Sequence, residues 1–128
     1  HPRTRQRIQS FGLTHLMENY PDLLYLEPLG YLEFLCLMAQ AKFVLTDSGG
    51  IQEETTVLGI PCLTLREETE RPVTVTEGTN LVIGTDPMRL LAESQRILAG
   101  QGKTGRIPER WDGQAASRIV AILAGALR

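Results

Sequence analysis

Phe43-Val44-Leu45-Thr46-Asp47-Ser48-Gly49-Gly50-Ile51-Gln52-Glu53-Glu54 is the stretch from which the fold of this 128-residue chain is read. Its first four residues, mostly apolar and partly β-branched, describe a strand of the kind found in a sheet covered on both faces. The two glycines that follow open a helix over Ile51 to Leu58, with Gly59 as its C-terminal cap and Pro61 beyond it as a stop. A strand that runs straight into a helix is half of a βαβ unit, and the expected architecture is a parallel sheet wrapped by helices.

The same alternation continues on both sides. Pro61 to Leu65 and Asn80 to Ile83 are further expected strands, and Arg66 to Gly78 between them reads as a charged, Pro-containing loop. Leu23 to Leu26, ended by Glu27-Pro28, is expected as an earlier strand. Gly30 then opens a helix over Tyr31 to Ala41, with Leu32, Leu35, Cys36, Met38 and Ala39 packing on the sheet. A short amphipathic helix is expected from Thr4 to about Phe11, stopped at Gly12. Near the end, Asp86-Pro87 is a strong helix start, with Leu90, Leu91, Ser94, Ile97 and Leu98 on one face. After a polar connector from Gly100 to Arg110, Asp112-Gly113 caps a last helix to about Leu127, with Ile119, Ile122, Leu123 and Leu127 as its buried stripe.

Composition narrows the class. Hydrophobic residues at 42% and charged residues at 22% are those of a folded soluble domain, and the length suits one domain, residues 1–128. Thirteen Lys and Arg against fifteen Asp and Glu leave a net charge of −2, so no basic field exists to hold nucleic acid or a membrane surface. Any anion site must be local. No apolar run approaches a membrane span. Cys36 and Cys62 sit in apolar runs without CxxC spacing, and His1 and His15 are isolated, so neither a disulfide framework nor a metal or other cofactor is expected. Reduced thiols place the chain in the cytoplasm. It opens with His1-Pro2-Arg3 and reads as a piece of something longer.

The chemistry concentrates where the first-quoted strand meets its helix. Glycines at such a turn let backbone approach a ligand, and the amides of a helix start present donors and the positive dipole end to a phosphate. Ser48, Gly49 and Gly50 are the candidate cradle, at the carboxyl end of a parallel strand where α/β sheets place ligands. A plainer explanation is that the chain only needs glycine to reverse tightly, with Asp47 and Ser48 as caps. Glu54, four residues after Gly50, shares its face and could accept two hydrogen bonds from the vicinal hydroxyls of a ribose. Glu53 is accounted for by the helix macrodipole. Arg71, in Thr69-Glu70-Arg71-Pro72, is a candidate phosphate ligand overhanging the same edge, or else part of a surface salt-bridge cluster. Phe34 could meet a base, or be core. No nucleophile–base pair or carboxylate dyad can be assembled, so no catalytic residue is assigned.

Thr46 through Glu54, then Gly59-Ile60-Pro61-Cys62-Leu63-Thr64-Leu65-Arg66, Thr69-Glu70-Arg71-Pro72, Glu77-Gly78-Thr79-Asn80, and the flanking His1-Pro2-Arg3-Thr4 and Trp111-Asp112-Gly113-Gln114-Ala115-Ala116-Ser117-Arg118-Ile119 together resemble the non-hydrolysing UDP-N-acetylglucosamine 2-epimerases, in their carboxyl-terminal portion. The resemblance implies a Rossmann-like parallel sheet flanked by helices, the C-terminal half of a two-domain glycosyltransferase-B arrangement that binds a UDP-sugar in its cleft. It implies that Ser48, Gly49 and Gly50 hold the diphosphate, Glu54 the ribose, that Phe34 lies near the uracil, Arg71 lines the phosphates, and His1 faces the interdomain cleft where a second UDP-sugar acts as activator. The implied partners are UDP and a UDP-sugar, within a homodimeric intact enzyme. The implied reaction inverts carbon 2 by UDP elimination and re-addition, with acid and base carboxylates from the other domain, so this chain alone is expected to be inactive. The half-domain's first strand would precede His1, leaving an unpaired sheet edge. Two other readings share the architecture: the C-terminal domain of a UDP-sugar glycosyltransferase, and a non-catalytic nucleotide-sugar-binding module.

Overall fold

Three of the expected strands form one parallel sheet in a computed structural model that describes residues 2–126. The elements run α1 (Pro2–Ser10), α2 (Thr14–Asn19), α3 (Tyr31–Ala39), β1 (Val44–Thr46), α4 (Gly49–Leu58), β2 (Cys62–Thr64), α5 (Pro72–Thr76), β3 (Asn80–Val82), α6 (Pro87–Leu98) and α7 (Ala115–Ala126). The chain divides into two units, His1–Cys36 and Leu37–Arg128.

In the second unit the sheet order is β1-β2-β3, with Val44 opposite Cys62 and Cys62 opposite Asn80. Parallel neighbours need a crossover, and α4 and α5 supply the two crossovers. α4 stops where Gly59 takes a left-handed φ of 71° and donates its N–H to the Thr55 and Thr56 carbonyls. α6 starts as expected, with the Asp86 carboxylate accepting the Met88 N–H at 2.9 Å and Pro87 in the first turn. Asp112 accepts the Gln114 N–H at 3.0 Å ahead of α7, and Arg118 holds its carboxyl well below the usual carboxylate range. The core is small, and polar side chains outnumber apolar ones in it. Met38, Cys62, Leu63 and Ile83 are buried beside Gln52, Thr55, Thr56, Thr64, Thr74, Thr79 and Asn80.

Several expectations are corrected. Leu23–Leu26 is not a strand: it belongs to the first unit and pairs with none of the three strands. Its neighbours there are polar, since Arg5 of α1 bonds to Glu27 and stacks on the Tyr25 ring at 5.1 Å. The Arg66–Gly78 stretch is not all loop, because Pro72 in a first turn sets φ for α5 and needs no donor of its own. Of the apolar positions assigned to α3 only Met38 is buried, and Leu32 is exposed. On α6, Leu91 and Leu98 are exposed and the half-buried face is Leu90, Glu93, Ser94 and Ile97. The α7 stripe is uncovered: Ile119, Ile122 and Leu123 are all more than half exposed, and Leu127 lies outside the described residues. Leu45 is also 44% exposed, so β1 is not covered on both faces. Periodicity reports that a face is apolar; it does not supply the element that covers it.

The two thiols differ in environment. Cys36 is exposed, whereas Cys62 is fully buried in β2 and its thiol is pushed up by desolvation. A colorimetric thiol reagent at pH 8 is expected to react fast with one thiol per chain, and Cys36→Ser to abolish that fast phase. Two fast thiols in the folded protein would contradict this burial.

Candidate functional site

β1 ends at Thr46 and α4 begins at Gly49, so Asp47 and Ser48 make the whole connection. Thr46 Oγ1 accepts the Ser48 N–H at 3.0 Å and fixes the turn. Ser48 occupies the N-cap position with extended φ and ψ of −83° and 128°, yet its side chain caps nothing. The first-turn amides of Gly49, Gly50 and Ile51 therefore have neither an intrahelical acceptor nor a side-chain cap.

The plainer explanation of the glycines, a forced tight reversal, does not hold. Neither Gly49 nor Gly50 has a positive φ. A Cβ added at Gly50 would meet nothing within 4 Å, and one at Gly49 would meet only Arg71 Cγ at 3.9 Å. The space in front of these amides is open, and a side chain there would fill it.

Arg71 reaches this point because of strand register. Thr46 and Thr64 are paired at the carboxyl ends of β1 and β2, so the segment after β2 emerges beside the start of α4. Arg71 Nε lies 2.9 Å from Glu53 Oε1, and Arg71 Nη1 donates to the Glu70 carbonyl at 3.3 Å. Both side chains are near 40% exposed, so the pair adds little stability and serves mainly to orient the guanidinium. Glu53 was ascribed to the helix macrodipole in the sequence; the structure makes it the partner of Arg71 as well. Glu54, one residue on, is half-buried, and among the described residues its carboxylate makes no ion pair or hydrogen bond.

The structure thus brings together Ser48, Gly49, Gly50 and Arg71, with Glu54 one turn into the same helix. Phe34 is half-buried on α3 in the first unit, and His1 lies outside the described residues.

Behind the turn lies a polar network that the sequence reading missed. Gln52 Oε1 accepts from Thr69 Oγ1 at 2.6 Å and from Asn80 Nδ2 at 3.0 Å. Asn80 Nδ2 also donates to Thr74 Oγ1 at 3.0 Å, and Asn80 Oδ1 accepts from Thr64 Oγ1 at 2.6 Å. Among the described residues no buried side-chain polar atom lacks a partner. Two signals were available: an Asn opening the apolar run Asn80-Leu81-Val82, where strands disfavour it, and Gln52 on the same helix face as Thr55 and Thr56.

Two cavities of about 440 and 350 Å³ open at the other, amino-terminal end of the strands, around Pro61, Thr79, Ile97 and Lys103. Neither is lined by Ser48, Gly49, Gly50, Glu54 or Arg71. Lys103 spends its ammonium on the Val75 and Asn80 carbonyls, the latter at 2.7 Å, and burial lowers its pKa. Among the described residues no group of His, Cys, Asp or Glu could hold a metal ion, and no helix is long and apolar enough to cross a membrane.

Comparison with known proteins supplies the remaining observations. The profile of the family described as UDP-N-acetylglucosamine 2-epimerase matches residues 1–124. The chain is 42% identical over 116 residues to the UDP-N-acetylglucosamine 2-epimerase of Methanococcus maripaludis, covering 84% of this chain and 32% of that protein. It is 41% identical over 123 residues to the enzyme of the same name from Methanocaldococcus jannaschii, covering 96% and 33%. The solved M. jannaschii UDP-GlcNAc 2-epimerase in complex with UDP-GlcNAc and UDP superposes with a TM-score of 0.82 at 40% identity, over 97% of this chain and 34% of that one. The chain spans about a third of the length of the curated relatives it matches.

Proposed function

The chain belongs to the UDP-N-acetylglucosamine 2-epimerase family, and from that premise we propose that it is the UDP-binding part of such an enzyme. Residues 1–128 act in this reading as one nucleotide-binding domain of a cytoplasmic, homodimeric epimerase that interconverts UDP-GlcNAc and UDP-ManNAc. Family membership favours this reading over the glycosyltransferase alternative.

One observation carries the reading: the uncapped, side-chain-free start of α4, open to solvent with Arg71 beside it. Amides of a helix start and a guanidinium are complementary to a diphosphate. The Ser48 hydroxyl and the amides of Gly49 and Gly50 take the phosphates, Arg71 flanks them, and Glu54 accepts from the ribose hydroxyls. The chemical contribution is to the leaving group. As the bond from carbon 1 to UDP breaks, charge grows on the diphosphate, and preorganised donors stabilise it more in the transition state than in the ground state. The intermediate 2-acetamidoglucal is then reprotonated on the other face and UDP returns. The proton-transfer carboxylates belong to the rest of the intact enzyme, so this chain binds UDP without turning over substrate.

Calorimetric titration tests this. UDP is expected to bind on the order of 0.1–1 mM, ADP much more weakly, and Glu54→Ala to remove roughly 1.5–3 kcal/mol of UDP binding, the worth of a charged hydrogen-bond acceptor. Gly50→Ala should leave thermal stability unchanged or slightly raised, since its Cβ meets nothing, while weakening UDP. Absence of UDP binding by the folded chain, or binding indifferent to both substitutions, would overturn the reading.

A further inference from the structure

We propose that the buried amides of Gln52 and Asn80 are positioning residues for Arg71, holding its backbone so that the guanidinium stands at the start of α4. The ligand that this serves rests on the nucleotide-binding reading above.

Arg71 lies on an exposed segment and its side chain is 44% exposed, so its ion pair with Glu53 orients the guanidinium but does not fix the backbone that carries it. Its backbone, however, is tied at both ends. The Arg71 N–H donates to Thr69 Oγ1 at 3.0 Å, and the Arg71 carbonyl accepts from Thr74 Oγ1 at 2.7 Å. Each hydroxyl then leads inward to the same amide pair: Thr69 Oγ1 donates to Gln52 Oε1, and Thr74 Oγ1 accepts from Asn80 Nδ2. The Asn80 Nδ2–Gln52 Oε1 bond closes the circuit, and Thr64 of β2 anchors Asn80 Oδ1. Gln52 is 1% exposed and Asn80 fully buried, so water does not compete for these bonds.

Three elements thereby converge on one residue. Gln52 belongs to α4, Asn80 opens β3, and Thr64 ends β2. The side chain of Arg71 is then held from outside by Glu53 on Nε and the Glu70 carbonyl on Nη1, which leaves Nη2 without a hydrogen bond among the described residues. An uncommitted donor on a guanidinium placed beside three uncapped amides is what a phosphate oxygen can use. A network serving only to join α5 to β3 would need the Asn80–Thr74 bond alone; it would not need Thr69, whose hydroxyl connects Gln52 to the Arg71 amide and to nothing else.

Thr69→Val breaks that connection and leaves Gln52 bonded to Asn80, so the fold is retained even where Gln52→Met fails to fold. In ¹⁵N-labelled protein, Thr69→Val is expected to speed exchange of the Arg71 amide and shift its Nε–Hε signal, and Thr69→Ser to restore both. UDP affinity should fall about fivefold in Thr69→Val, recover in Thr69→Ser, and show no further fall when Thr69→Val is added to Arg71→Met. Unchanged Arg71 signals in Thr69→Val, or an equal loss of affinity in the Arg71→Met background, would overturn the proposal. If Arg71 responds as expected but the wild-type chain binds no UDP, the positioning stands and the nucleotide reading fails.

Discussion

Gly78→Ala is expected to destabilise the chain by about 3 kcal/mol, the upper end of overpacking costs, and to lower Tm by roughly 10 °C in thermal denaturation followed by far-UV circular dichroism. Gly78 is buried, and a Cβ on it would fall 2.4 Å from Thr56 Oγ1, 2.6 Å from Thr56 Cγ2 and 2.7 Å from the Thr74 carbonyl oxygen. Both branches of Thr56 face the intruder, and Thr56 is itself buried and hydrogen-bonded to the Gln52 carbonyl at 2.9 Å. The Thr74 carbonyl is main chain and moves only with α5. Retreat in the other direction meets Gly105, whose own Cβ would come 2.3 Å from the Gly78 carbonyl carbon. Glycine at 78 is therefore a requirement of close approach between α4 and α5, in contrast to Gly50, where alanine has room. Equal melting temperatures for Gly78→Ala and Gly50→Ala would show that this contact has slack the structure does not display.

Asn80→Leu is expected to cost a comparable amount, about 3 kcal/mol, by chemical denaturation, although the two side chains are similar in size. Asn80 makes three side-chain hydrogen bonds in a fully buried position. Leucine removes all three: Gln52 and Thr74 each keep one other bond to oxygen, whereas Thr64 Oγ1, at zero exposure, loses its oxygen acceptor and keeps only a 3.9 Å contact with Cys62 Sγ. An orphaned buried donor carries its full desolvation cost, roughly 1–3 kcal/mol, and the two weakened bonds add to it. Because the cost lies in the stranded partner, Asn80→Leu/Thr64→Val is expected to be more stable than Asn80→Leu alone. Purely additive losses across this double-mutant cycle would mean that the Thr64–Asn80 bond does not carry the effect.

Local chemistry made much of this molecule legible. The β1-turn-α4 junction, the stop at Gly59 and the start at Asp86-Pro87 depend on residues within a few positions of one another, and each stands where patterning and capping put it. The ordered motifs around Ser48–Glu54, Thr69–Pro72 and Glu77–Asn80 were enough to point to the family that the comparisons show. Leu23–Leu26 misled because an apolar run has the composition of a strand whether or not a partner strand is present, and here Arg5 holds the adjoining residues instead. The α6 and α7 stripes misled for the same reason: amphipathicity describes one surface, and burial requires two.

Sequence alone thus determined the alternation of strand and helix, the placement of Ser48, Gly49 and Gly50 at a helix start, and the position of Glu54 on their face, because all of these follow from spacing along one short segment. Only the tertiary structure decided that Gly50 has room for a side chain and Gly78 has none, that Glu53 rather than a nearer acid takes Arg71, and that Gln52 and Asn80 meet. Those outcomes join residues 18 to 28 positions apart, as Glu53 to Arg71 and Gln52 to Asn80. Strand register sets such distances, and no periodicity within a single element encodes them.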